Sequence, residues 1–141
     1  MLKTRTSLHL VLFVLILSLT SCASLSGPEF KITDTKVGTG TAVVAGNWVA
    51  MQYTGWIYDA DKPSHKGKRF DMSEPGKNFI FQVGAGKVIR GWDEGVVGMK
   101  IGGKRNLIIP SDMAYGDHGM GETIPPDATL MFDIELIDVK Q

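Results

Sequence analysis

Few side chains in this 141-residue sequence are of a type that makes or breaks bonds, and their spacing excludes most familiar chemistries. Cys22 is the single cysteine, so no disulfide can close within the chain. Beyond it the histidines are His65 and His118, in polar, turn-rich segments, with no further ligand at metal-binding spacing from either. No metal and no other cofactor is expected. Gly84-Ala85-Gly86-Lys87 has the look of a phosphate loop but lacks the G-x-x-x-x-G-K-S/T pattern, and reads better as the turn leading into Val88-Ile89. Acidic and basic residues balance, and no positive cluster is large enough for a nucleic-acid surface. Lys66, Lys68 and Arg69 form a small basic run, read as a solvated loop. What remains is a set of aromatic side chains, which can fill a core or line a pocket; taken alone, core is the better reading.

The thiol has its own context. Lys3 and Arg5 precede a nearly continuous apolar run from Leu8 to Leu19, too short to span a bilayer comfortably, and small residues follow. This is the pattern of a secretory signal, favoured over an uncleaved anchor or a buried helix. Leu19-Thr20-Ser21-Cys22 resembles the lipobox of bacterial lipoproteins. The resemblance implies cleavage before Cys22, a lipid on its sulfur and a membrane held through that anchor, since two or more acyl chains give stable attachment. Ala23 at the next position favours the outer membrane of the bacterial envelope. The expected division is 1–21 signal peptide, 22–30 lipidated tether and 31–141 folded domain.

The elements that must position any site can be read from periodicity. Residues 47–58, 78–83, 104–109 and 129–139 alternate apolar with polar side chains, as strands with one buried face do, and 30–37 is a weaker, edge-like strand. Val88, Trp92, Val96 and Met99 recur at helical spacing, with Asp93 and Glu94 near the start and Gly98 as a stop. Gly91 and Gly95 cost this helix about 1 kcal/mol each against alanine, so packing must hold it. The segment 59–68, with Pro63, reads as a loop. The fold class is α+β: a curved antiparallel sheet wrapped around one short helix.

Val88-Ile89-Arg90-Gly91-Trp92-Asp93-Glu94-Gly95 resembles the V-I-x-G-W-x-E-G signature of FKBP-type peptidyl-prolyl cis-trans isomerases. Tyr53-Thr54-Gly55, Phe70-Asp71, Ala114-Tyr115-Gly116, Ile124-Pro125-Pro126 and Ala128-Thr129-Leu130-Met131-Phe132-Asp133 resemble further family elements, in the family's order and at its spacing. The resemblance implies a pocket for proline-containing polypeptides, open also to macrolide inhibitors, on a monomeric domain. Its catalytic positions fall on Asp71, Tyr115 and Tyr53. Its substrate-binding positions fall on Phe70, Phe79, Val88, Ile89, Trp92, Ile124 and Phe132, with Trp92 as floor and Phe81 left to the core. The Ile89 N–H and the Tyr115 hydroxyl would hold substrate carbonyls.

One stretch departs from the family. Between Tyr115 and Ile124, Met120 and Thr123 stand where better-known members carry histidine and isoleucine. The expectation is a more polar, more flexible rim, an altered substrate preference and weaker macrolide binding. The competing reading is a lipid-anchored chaperone or peptide-binding module with little turnover.

Overall fold

The computed structural model describes residues 27–141. Cys22, the signal segment and most of the tether lie outside the described residues.

Alternation in the sequence becomes a six-stranded antiparallel sheet. Its strands are β1 (Lys31–Lys36), β2 (Trp48–Tyr58), β3 (Lys66–Met72), β4 (Phe79–Gln82), β5 (Lys104–Ile109) and β6 (Leu130–Lys140), with helix α1 (Arg90–Gly95) between β4 and β5. The order across the sheet is β1-β5-β6-β2-β3, and β4 also pairs with β2. β4 takes Trp48–Met51 of β2 while β3 takes Thr54–Tyr58, so the two short strands lie end to end along one edge. The last strand, β6, thus sits at the centre, between β5 and β2.

Every second residue of the central strands faces α1. Val49 and Met51 of β2, Leu107 and Ile109 of β5, and Leu130, Phe132, Ile134 and Leu136 of β6 are buried there. Burying each such side chain stabilises the fold by about 1.5–3 kcal/mol before chain entropy is charged against it. The helix lies directly on this face because glycine lets it. A Cβ on Gly91 would stand 2.4 Å from Ile109 Cγ2, and one on Gly95 would stand 2.8 Å from Leu107 Cδ1. The two residues that weaken the helix as an isolated segment are those that allow it to touch β5.

The C-terminal end of α1 is tied down by a residue whose role the sequence concealed. Arg105 is 7% exposed. Its Nη1 donates to the carbonyls of Gly95 and Val97, both at 2.8 Å. Its Nε and Nη2 donate to the two carboxylate oxygens of Asp34, at 2.7 and 3.1 Å. The hydrogen bond from Arg105 holds the Asp34 carboxyl below the usual carboxylate range, against the opposing effect of burial. One guanidinium so joins the outer strand β1 to the helix through β5.

Three expectations need correction. The basic run at Lys66–Arg69 is not a loop but the first part of β3. It carries no apolar alternation because β3 is a largely exposed edge strand, held by pairing with β2 and by Lys66, whose Nζ lies 4.3 Å from the centroid of the Trp56 ring. The loop expected over 59–68 accordingly ends at His65. The helix is also shorter than its stripe. Only Arg90–Gly95 is helical; Val96 is the C-cap, Gly98 turns the chain at φ 83°, and Met99 is buried from the turn that follows.

Candidate active site

The site lies between α1 and the β2–β3–β4 edge of the sheet, and its walls follow from local geometry. Pairing between β2 and β3 runs Gly55↔Asp71 and then Trp56↔Arg69, which leaves Phe70 as an extra residue. Such a bulge breaks strict alternation and re-aims side chains. Phe70 and Asp71, adjacent in sequence, consequently line the same cavity. Gly55 makes room for this: a Cβ there would stand 2.7 Å from the Phe132 ring and 2.8 Å from the Phe70 ring. Without it those rings meet edge to face, centroids 5.5 Å apart.

Trp92, on the first turn of α1, forms the floor. Tyr53, Phe132 and Phe79 approach its ring nearly perpendicularly, with centroids at 5.0, 5.3 and 5.8 Å. Phe81, 3% exposed, supports it from the core. The indole is 4% exposed, and its Nε1–H is buried without a hydrogen-bond acceptor among the described residues. The floor is therefore ringed by π-systems and carries no polar group that accepts from a ligand. Val88 and Ile89 close one side and Tyr115 another, giving a cavity of about 260 Å³.

The polar groups come from more than one wall. The Tyr53 hydroxyl donates to Asp71 Oδ2 at 2.7 Å, and the Met72 N–H donates to Asp71 Oδ1 at 2.8 Å. Burial, then the hydrogen bond to Asp71 and its charge, push the Tyr53 phenol far above its ordinary pKa. Burial and then the Asp71 charge also raise Tyr115. Both phenols thus stay protonated donors at any physiological pH. The Tyr115 hydroxyl makes no hydrogen bond among the described residues, and the Ile89 N–H has no backbone acceptor there. Ile89 is also the residue preceding α1, an apolar residue where capping side chains are preferred.

Of the residues named from the sequence, Tyr53, Phe70, Asp71, Phe79, Val88, Ile89, Trp92, Tyr115 and Phe132 come together around this cavity. Ile124 does not. It is 1% exposed in the core, and its main chain closes a turn with Met120 through paired hydrogen bonds of 2.8 and 3.1 Å. Met120 and Thr123 are outside the wall as well, in a turn closed by the Met120–Ile124 bridge. Thr123 faces a separate groove against the 59–68 segment. Lys87, expected from the sequence only as part of a turn, also lines the cavity. Its position directly before Val88-Ile89 was the available signal.

A larger groove of about 470 Å³ lies elsewhere on the sheet, lined mainly by polar side chains. Several of these are already matched to one another, Gln52 with Ser73 and Lys104 with Glu135, and no aromatic floor underlies them. Size alone does not make it the better site.

Residues 39–137 match the family described as FKBP-type peptidyl-prolyl cis-trans isomerase. The chain belongs to that family. It is an isomerase of prolyl peptide bonds, built on the curved sheet and short helix of FKBP-type domains. It is 46% identical over 109 residues to the FK506-binding protein of Neisseria meningitidis serogroup B, covering 77% of this chain and 94% of that one. It is 44% identical over 110 residues to FK506-binding protein 4 of Aspergillus fumigatus, covering 78% of this chain but spanning only 21% of that longer protein. The crystal structure of a peptidyl-prolyl cis-trans isomerase from Pseudomonas syringae superposes with a TM-score of 0.66 at 38% identity, over 79% of this chain and 76% of the other.

Proposed function

We propose that this FKBP-type domain isomerises X-Pro bonds in exported polypeptides, working as a monomer held at a bacterial envelope membrane by lipid on Cys22. The observation that carries the catalytic part is the aromatic cavity floored by Trp92, with the Tyr53–Asp71 pair on one wall and the Tyr115 hydroxyl on another.

Rotation about an X-Pro bond crosses a barrier of roughly 18–20 kcal/mol because amide resonance is lost on the way. No proton moves and no covalent bond breaks, so a nucleophile or an acid–base pair is not needed. The planar amide is the more dipolar state, and an apolar floor solvates it poorly. The twisted amide loses less on entering. Trp92 and the surrounding rings seat the pyrrolidine, while the Ile89 N–H and the Tyr115 hydroxyl hold carbonyls on either side of the rotating bond. Asp71, oriented by Tyr53, places a fixed negative group near the amide whose charge distribution changes. Lowering the barrier by about 4 kcal/mol would accelerate the reaction roughly a thousandfold. FK506-like macrolides, which the names of relatives invoke, are proposed to enter the same cavity.

A protease-free NMR exchange measurement on a proline tetrapeptide tests this reading. Acceleration well above the uncatalysed rate is expected; folded protein at the uncatalysed rate would leave only a peptide-binding module. The anchor rests on Leu19-Thr20-Ser21-Cys22 and the apolar run before it. Metabolic labelling with a fatty acid should mark the wild-type chain and not Cys22→Ala, and retained label in the variant would remove the anchor from the proposal.

A further inference from the structure

We infer that Lys87 gives the pocket a charge preference, favouring substrates with an acidic side chain beside the proline. The inference rests on the isomerase reading above and names the substrate class of the same site. Lys87 is exposed and is the one cationic side chain lining the aromatic cavity. Acidic side chains of α1 and of the segment after β5 already have partners of their own. Asp93 Oδ1 and Oδ2 accept the N–H groups of Gly84 and Gly86, each at 2.9 Å. Glu94 and Asp112 both pair with Arg90. Across the cavity, Asp71 accepts from Tyr53 and from the Met72 N–H. Hydrogen bonds from neutral donors leave the charges of Asp71 and Asp93 in place, but neither carboxylate stands within ion-pair distance of Lys87, which forms no ion pair among the described residues.

The same contacts fix where that charge stands. Gly84 and Gly86 adopt φ of 78° and 66°, a conformation that turns both N–H groups onto Asp93. The backbone immediately before Lys87 is thereby pinned to the first turn of α1, next to Trp92. The stem of Lys87 is mobile, but its root is not. An acidic side chain flanking a proline seated on Trp92 would meet a cation without competing for it.

The test compares kcat/KM for the tetrapeptides Ala-X-Pro-Phe and Ala-Leu-Pro-X, with X glutamate, lysine or leucine, by protease-free NMR exchange at low salt. At one flank or both, glutamate should exceed lysine by about two- to fivefold, the range of an exposed ion pair. The ratio should approach one in Lys87→Met, invert in Lys87→Glu, and shrink in wild type when salt is raised. A ratio of one at both flanks, or one unchanged across the three proteins, would overturn the inference. Turnover of the leucine peptides separates the two claims: with it, a flat ratio counts against Lys87 alone; without it, the isomerase reading itself fails.

Discussion

Replacing Gly91 with alanine sets two known effects against each other, and the structure says which should win. In an ordinary helix the change is favourable by up to about 1 kcal/mol, and in a six-residue helix, so close to its start, by less. Against this, the new Cβ would meet Ile109 Cγ2 at 2.4 Å, Cδ1 at 2.7 Å and Cγ1 at 2.8 Å. Carbon atoms in comfortable contact stand about 3.5–4.0 Å apart, so the helix must withdraw from β5 by about 1 Å. Overpacking of this kind costs about 1–3 kcal/mol, which exceeds the helical gain. Gly91→Ala should therefore destabilise the domain by about 1–2 kcal/mol, read as a lower urea midpoint with unchanged slope.

The adjacent residue is Trp92, so the floor shifts with the helix, and a displacement near 1 Å can cost about a hundredfold in rate. Isomerase kcat/KM should fall more than stability alone explains. The control is the Ile109→Ala background, itself about 2–5 kcal/mol less stable than wild type. There the three clashing atoms are gone, and Gly91→Ala should be neutral or stabilising. A Gly91→Ala protein as stable and active as wild type, or an equal penalty in both backgrounds, would refute the account of the glycine as a packing requirement.

Other expectations follow from the same contacts. Tyr53→Phe removes the donor to Asp71 while keeping the ring against Trp92, and should lower kcat/KM by about tenfold with little loss of stability, as measured by exchange NMR and thermal unfolding. Arg105→Met strips two carbonyls at the end of α1 of their partner and should cost about 2–3 kcal/mol in urea unfolding, whereas Asp34→Asn, at a half-exposed carboxylate, should cost less than about 1 kcal/mol. Both pocket phenols have raised pKa values, so their contribution to stability is complete below the ordinary phenol pKa of about 10 and declines as pH rises past it; activity should show no phenol-linked loss below that point in a pH–rate profile. Asp34 behaves oppositely: its contribution is present above the ordinary carboxylate pKa of about 4 and is lost as pH falls through the lowered one, a loss that acid titration of Asp34→Asn should lack.

The buried strands were legible because each has one wet and one dry face; Val49 and Met51, or Leu130 through Leu136, announce themselves by alternation. β3 was not, since an edge strand exposed on most of its length has no apolar rhythm to show. Phe70 and Asp71 could be placed in one wall only through family resemblance, because the bulge that turns both inward depends on pairing with β2. Ile124 looked like part of the site for the converse reason: motif position does not say which way a side chain points, and here it points into the core. Arg105 shares the dry face of β5 with Leu107 and Ile109, and what satisfies a cation there shows only when Asp34, 71 residues away in sequence, is seen beside it.

The central position of β6 has a consequence for how the molecule comes into being. Tyr53 stands opposite Ile134 and Gly55 opposite Phe132, so the cavity wall is assembled from segments separated by most of the domain. During synthesis at about 5–20 residues per second, β1 to β5 emerge before the strand that β2 and β5 flank. Until β6 arrives, β2 and β5 each expose an unpaired edge beside apolar side chains, and Trp92 has no Phe132 to pack against. Closure of the fold must therefore wait for β6 and is dominated by distant contacts, in the millisecond-to-second range typical of such topologies. A nascent chain lacking β6 is the species most exposed to aggregation and most dependent on a holding partner.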